Sequence, residues 1–112
     1  MSIKTTLDNY IKEAYNTAKE KGWHDKGRSF GDLIALCHSE LSEALEDYRK
    51  EKEYDEIYYK KDKPCGIPVE MADLLIRVFD MCEHLGIPLE TALNIKMKYN
   101  KTRPYRHGNK VI

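Results

Sequence analysis

The chain has 112 residues, and its 19 Lys/Arg balance 19 Asp/Glu to a formal net charge of zero. That length predicts one domain spanning residues 1–112, small enough that self-association would help it bury a core. The neutral balance argues against a nucleic-acid binder, and the absence of any run of about 18 apolar residues argues against a membrane span.

The N-terminal stretch MSIKTTLDNYIKEAYN has no apolar signal segment. Cys37, Cys65 and Cys82 form no C-x-x-C pair and read as reduced core thiols, which predicts a cytoplasmic protein. A first helix is expected from about Thr6 to Lys21, with Leu7, Tyr10, Ile11, Ala14 and Ala18 at helical steps. Thr5 and Asp8 fit a capping box, and Gly22 a stop. In the second helix Ser29 is the expected N-cap, with Asp32 three residues on. Phe30, Leu33, Ile34, Cys37, Leu41, Ala44, Leu45 and Tyr48 form its apolar stripe.

Residues 54–68 carry charge, Tyr, Pro and Gly without a helical period, and read as a long connection. A third helix opens at Pro68 and ends at Gly86, and a fourth runs from Pro88 to before Pro104. The expected fold is all-α: four helices, an extended C-terminal arm and essentially no sheet.

Two acidic signatures stand out, Glu40-x-x-Glu43 on the second helix and Glu70-x-x-Asp73 on the third. Residues i and i+3 share a helix face, so each pair can present two carboxylates to one ion, and oxygen donors suit Mg²⁺ or Mn²⁺. With Leu41 set at 0° on a helical wheel, the apolar stripe lies between about −80° and +40°, and Glu40, Glu43 and Asp47 share one flank. On the third helix Glu70, Asp73, Arg77, Asp80 and His84 fill a narrow strip beside a broad apolar surface, which predicts that the acids face another element. The spacing alone is equally that of a solvated face, with Asp73 paired to Arg77 at i+4. Charge is segregated: residues 39–56 hold eight acids and three bases, whereas 94–110 hold six Lys/Arg and no acid. One end suits cations and the other suits phosphates.

At these residues the chain resembles the MazG-like branch of the all-α nucleoside triphosphate pyrophosphohydrolases, whose pattern is E-E-x-x-E followed by E-x-x-D. Here it reads Ser39-Glu40-Leu41-Ser42-Glu43, then Glu70-Met71-Ala72-Asp73. The stretches GIPVEMADLLIRVFDMCEHLGI and KMKYNKTRPYRHGNK extend the resemblance over nearly the whole chain. Ser39 departs from the pattern, and leaves open what the first acid contributes. The resemblance implies a four-helix bundle assembled as a homodimer or homotetramer, with active sites near subunit contacts. It implies that Glu40, Glu43, Glu70 and Asp73 are both metal ligands and catalytic residues, and that a nucleoside triphosphate is cleaved to monophosphate and pyrophosphate by a water activated on Mg²⁺.

For the substrate, the resemblance favours Asn100 and Arg103, and Lys98 and Lys110 accompany them as phosphate-binding candidates in the basic segment. The alternative for each is a solvated basic tail. Trp23, the only tryptophan, sits in the turn GWHDKGRSF and either stacks on a base or plugs the fold; His24 beside it is a weaker candidate for a base or sugar contact. A non-catalytic nucleotide-sensing or interaction module of the same fold is the competing function, with Ser39 as its support. A di-iron bundle is disfavoured because neither signature supplies a Glu-x-x-His pair.

Overall fold

The computed structural model describes residues 3–105, so Arg106, His107 and Lys110 of the expected arm lie outside the described residues. Six elements follow one another: α1 (Ile3–Glu20), α2 (Phe30–Arg49), β1 (Tyr58–Lys60), β2 (Lys63–Cys65), α3 (Ile67–Leu85) and α4 (Leu89–Thr102). The helices are punctuated by local chemistry. Gly22 takes φ 79 and Gly86 φ 70, and each follows a helix end where two backbone N–H groups turn back on orphaned carbonyls. Trp23 N donates to Ala18 O at 2.9 Å, and Ile87 N to Cys82 O at 2.8 Å. At the start of α2, Asp32 N donates to Ser29 Oγ at 3.0 Å and Ser29 N to Asp32 Oδ2 at 3.3 Å, the expected capping box. α1 already includes Thr5, so the helix begins before the expected cap.

The connection after α2 is not irregular throughout, as the sequence reading had it. Tyr58–Lys60 and Lys63–Cys65 pair antiparallel in register Tyr58↔Cys65 and Lys60↔Lys63, with Lys61 at φ 56 in the turn. The hairpin is held from outside: the Tyr58 hydroxyl donates to Asp47 Oδ1 of α2 at 2.8 Å. Gly66 then leads into α3 at φ 121, where a Cβ would stand 2.2 Å from the Glu56 carbonyl oxygen. Only glycine fits so close a backbone approach.

α3 is the central element, with α1 and α2 both packed along it, while α4 touches α1 and buries no residue. Ile11, Leu33, Ala44, Cys65, Met81 and Cys82 make a thin core, and among the described residues no side chain is fully enclosed. α2 meets α3 with the polar edge of its wheel. Leu33, Glu40, Ala44 and Asp47 are buried, whereas Phe30, Leu41, Leu45 and Tyr48, the middle of the apolar stripe, are 44 to 57% exposed. On α4, Ile95, Met97 and Tyr99 are open as well.

Candidate functional site

The reversed packing of α2 turns Glu40 and Asp47 inward. Glu40 is only 6% exposed, and it meets Glu43 one turn on and Glu70 from the first full turn of α3. One carboxylate oxygen from each of the three lies within 4.8 Å of the others. Glu40 Oε1 accepts from Arg77 Nε at 2.7 Å, but Glu40 Oε2 and Glu70 Oε2 are buried with no hydrogen-bond partner. Buried oxygens of this kind are costly unless something compensates them.

Protonation is one compensation. Burial first, then the hydrogen bond and charge of Glu43, with Asp73 and Glu40 adding to them, push Glu70 up to about 8. A hard divalent cation is the other, since an all-oxygen, all-carboxylate set is the donor chemistry of Mg²⁺ or Mn²⁺. The residues present therefore fit such an ion: Glu40 and Glu70 each have a bare oxygen to give, and Glu43 stands beside them.

Asp73 lies one turn beyond Glu70, outside the trio but within its field. Burial raises its pKa, as do Glu40 and Glu43, while Arg77 and Lys63 of the hairpin pull it down. Ser39 is exposed and takes no part in the trio. Burial keeps the thiols of Cys37 and Cys82 above their ordinary range, so neither is poised as a nucleophile.

α1 and α2 flank α3 without closing on each other, and an open groove of about 600 Å³ runs between them. Tyr10, Ala14, Leu33, Leu36, Ile76 and Phe79 give it apolar walls, Trp23 lines it, and Glu40, Asp73 and Arg77 border it with charge. Glu40, Asp73 and the tryptophan thus share one cleft, and Glu43 and Glu70 adjoin it through Glu40. Trp23 is flanked by two guanidinium groups, Arg28 at 4.3 Å and Arg77 at 5.1 Å from the ring to each Cζ. His24 engages α3: its Nε2 is 2.7 Å from Oδ1 of buried Asp80, which also lines the groove, and its ring stacks on His84 at 4.0 Å. It anchors the turn that carries Trp23.

Lys98, Asn100 and Arg103 stand apart from this cleft in the single chain. Lys98 and Asn100 lie within α4 and Arg103 caps its end; α4 packs chiefly on α1, Arg103 lies 5.7 Å from the Tyr99 ring, and none of the three lines the groove. Lys110 lies outside the described residues. Two interactions of the acids are not expected from the sequence. Arg77 engages Glu40 rather than serving only its i+4 neighbour Asp73, and the positive charge of Lys63 in the hairpin acts on Asp73. For Arg77 the signal was its place in the acidic strip of α3, whereas Lys63 left none.

Compared with protein-family models, curated proteins and solved structures, the chain matches none.

Proposed function

We propose that the chain is a Mg²⁺-dependent nucleoside triphosphate pyrophosphohydrolase of the MazG-like kind, one that cleaves between the α and β phosphates to release pyrophosphate. One observation carries this reading. An incompletely partnered carboxylate cluster, buried Glu40 with Glu43 and Glu70, adjoins through Glu40 an apolar groove that holds the only tryptophan. Glu40, Glu43 and Glu70 would hold the cation, with Asp73 beside them. When bound, such an ion screens the triphosphate and lowers the pKa of a water.

The chain's own residues supply the rest. Trp23 and the apolar walls take the nucleoside, for which aromatic faces are suited. Asp73 faces the groove with a carboxylate made more basic by burial, which fits it to accept the proton of the attacking water. Arg77 holds Glu40 in place and adds positive charge where phosphate oxygens would lie.

The uncovered stripe of α2 and the open face of α4 support a homo-oligomer, since an exposed apolar surface of this extent is unusual for a chain that works alone. Incubating the protein with Mg²⁺ or Mn²⁺ and a broad panel of ribo- and deoxyribonucleoside triphosphates tests the enzyme. Pyrophosphate release is expected; no turnover of any member, or release of orthophosphate alone, overturns it.

A further inference from the structure

Arg77 sits where the two halves of the cleft meet. Its Nε donates to Glu40 Oε1 at 2.7 Å, and its Cζ lies 5.1 Å from the centre of the Trp23 ring. The guanidinium is therefore held by a carboxylate on one side and an aromatic face on the other. Its side chain is 27% exposed where that of Glu40 is 8%, so the arginine has room to move and the acid does not.

A planar guanidinium binds carboxylates and stacks on aromatic rings, but the charge that attracts it to Glu40 also sets it against any second cation there. Glu40 Oε2 is the bare oxygen turned from the arginine. A divalent cation drawn to that oxygen and to Glu70 withdraws negative charge from the same carboxylate that holds Arg77.

We infer that Arg77 is a positioning residue that couples the acid cluster to the groove: cation binding at Glu40, Glu43 and Glu70 loosens its hold on Glu40 and shifts the guanidinium toward the Trp23 side. In that position its donors face the groove, where an anionic ligand can take them. The coupling is reciprocal. A ligand that draws Arg77 into the groove frees Glu40 for the cation, so each strengthens the other, on a scale of about fivefold or more. This rests on the metal reading of the acid cluster but not on catalysis.

Trp23 is the only tryptophan and reports the event directly. Mg²⁺ alone is titrated into the full chain, with binding followed by calorimetry and Trp23 emission followed in parallel. The emission of the unaltered chain is expected to change along the same isotherm. Arg77→Gln is expected to silence the emission change yet bind Mg²⁺ about fivefold more tightly, because a competing cation has been removed from Glu40. Arg77→Lys, which keeps the charge but lacks the planar fork, is expected to keep the weaker affinity and lose most of the emission change. Arg28→Gln is the control: Arg28 stacks on the same ring without engaging an acid of the cluster, so the response to Mg²⁺ should persist. Far-UV circular dichroism establishes that each variant is helical.

Mg²⁺ binding with a silent Trp23 in the unaltered chain overturns the coupling and leaves the metal reading intact. Weaker Mg²⁺ binding by helical Arg77→Gln also overturns it, because that is what a purely structural support for Glu40 would produce. No Mg²⁺ binding by the unaltered chain overturns both readings.

Discussion

The Tyr58 hydroxyl donates to Asp47 Oδ1 at 2.8 Å, and that bond joins the hairpin to a carboxylate buried on the inner face of α2. The bond to Asp47 first, and burial after it, push the Tyr58 hydroxyl up to about 12, so it remains a donor throughout the working pH range. Tyr58→Phe leaves Asp47 without this partner and is expected to lower the melting temperature. Adding Asp47→Leu, which removes the buried charge, should recover part of the loss. A double-mutant cycle in urea measures the interaction.

Gly66 tests how tightly the hairpin is seated. At φ 121 and with the Glu56 carbonyl 2.2 Å from any Cβ, Gly66→Ala must move backbone rather than a side-chain tip. A loss of about 2–4 kcal/mol is expected in chemical unfolding. Gly27→Ala has nothing within 4 Å to displace and no positive φ, and should be close to neutral.

The raised pKa of Glu70 fixes the sign of the pH dependence without metal. Below its ordinary value of 4.5 the group is protonated in both folded and unfolded chains, and its favourable contribution is fully present. As pH rises from there through about 8, the unfolded chain loses the proton first and the folded state loses this contribution. Denaturation midpoints should therefore fall across that window, and Glu70→Gln should flatten the slope. Mg²⁺ needs the carboxylates ionised, so its stabilising effect should grow over the same window.

Enzyme activity gives the next test. Glu43→Gln and Asp73→Asn are nearly isosteric, and each should reduce pyrophosphate release by about 100-fold or more, the scale on which one preorganised electrostatic contact enters a rate. Helicity should be unchanged. Full activity in both variants removes these acids from the mechanism.

Assembly can be probed on the exposed centre of α2. Leu41 and Leu45 are 44% and 47% exposed in the single chain, so replacing either with Glu costs the isolated fold little. In an oligomer closed by this stripe the same change buries charge and should shift the species seen by light scattering toward monomer. An unaltered chain that is already monomeric at micromolar concentration removes the oligomer from the proposal.

The helices were legible because their ends carry chemistry of short range. Ser29 with Asp32, Gly22, Gly86, Pro68 and Pro88 mark boundaries that the structure keeps to within a residue or two. Thr5 misled because a capping pattern lies just as easily inside a helix. The hairpin was hidden by Pro64 and by charge. A two-stranded ribbon tolerates proline at an edge, and what orders this one is the distant Asp47 rather than local propensity. For the site, the wheel put Glu40, Glu43 and Asp47 on one flank, whereas the structure joins the first two to Glu70 and the third to the hairpin, because periodicity tells only which residues share a face. It does not say which face meets which helix. The structure turns that acidic flank toward α3 and leaves the leucines outside, an arrangement decided by contacts some 30 residues apart.

On the proposed function, the crowding of Glu40, Glu43 and Glu70 also sets stability and activity against each other. Three acids share one small volume, and two of their buried oxygens have no partner. In the absence of a cation, neutralising Glu70 relieves repulsion and burial together. A screen that rewards heat resistance in chelator should therefore enrich glutamine at Glu70, selecting chains that are sturdier and, on the proposed function, inactive. The same screen in excess Mg²⁺ should preserve the glutamates.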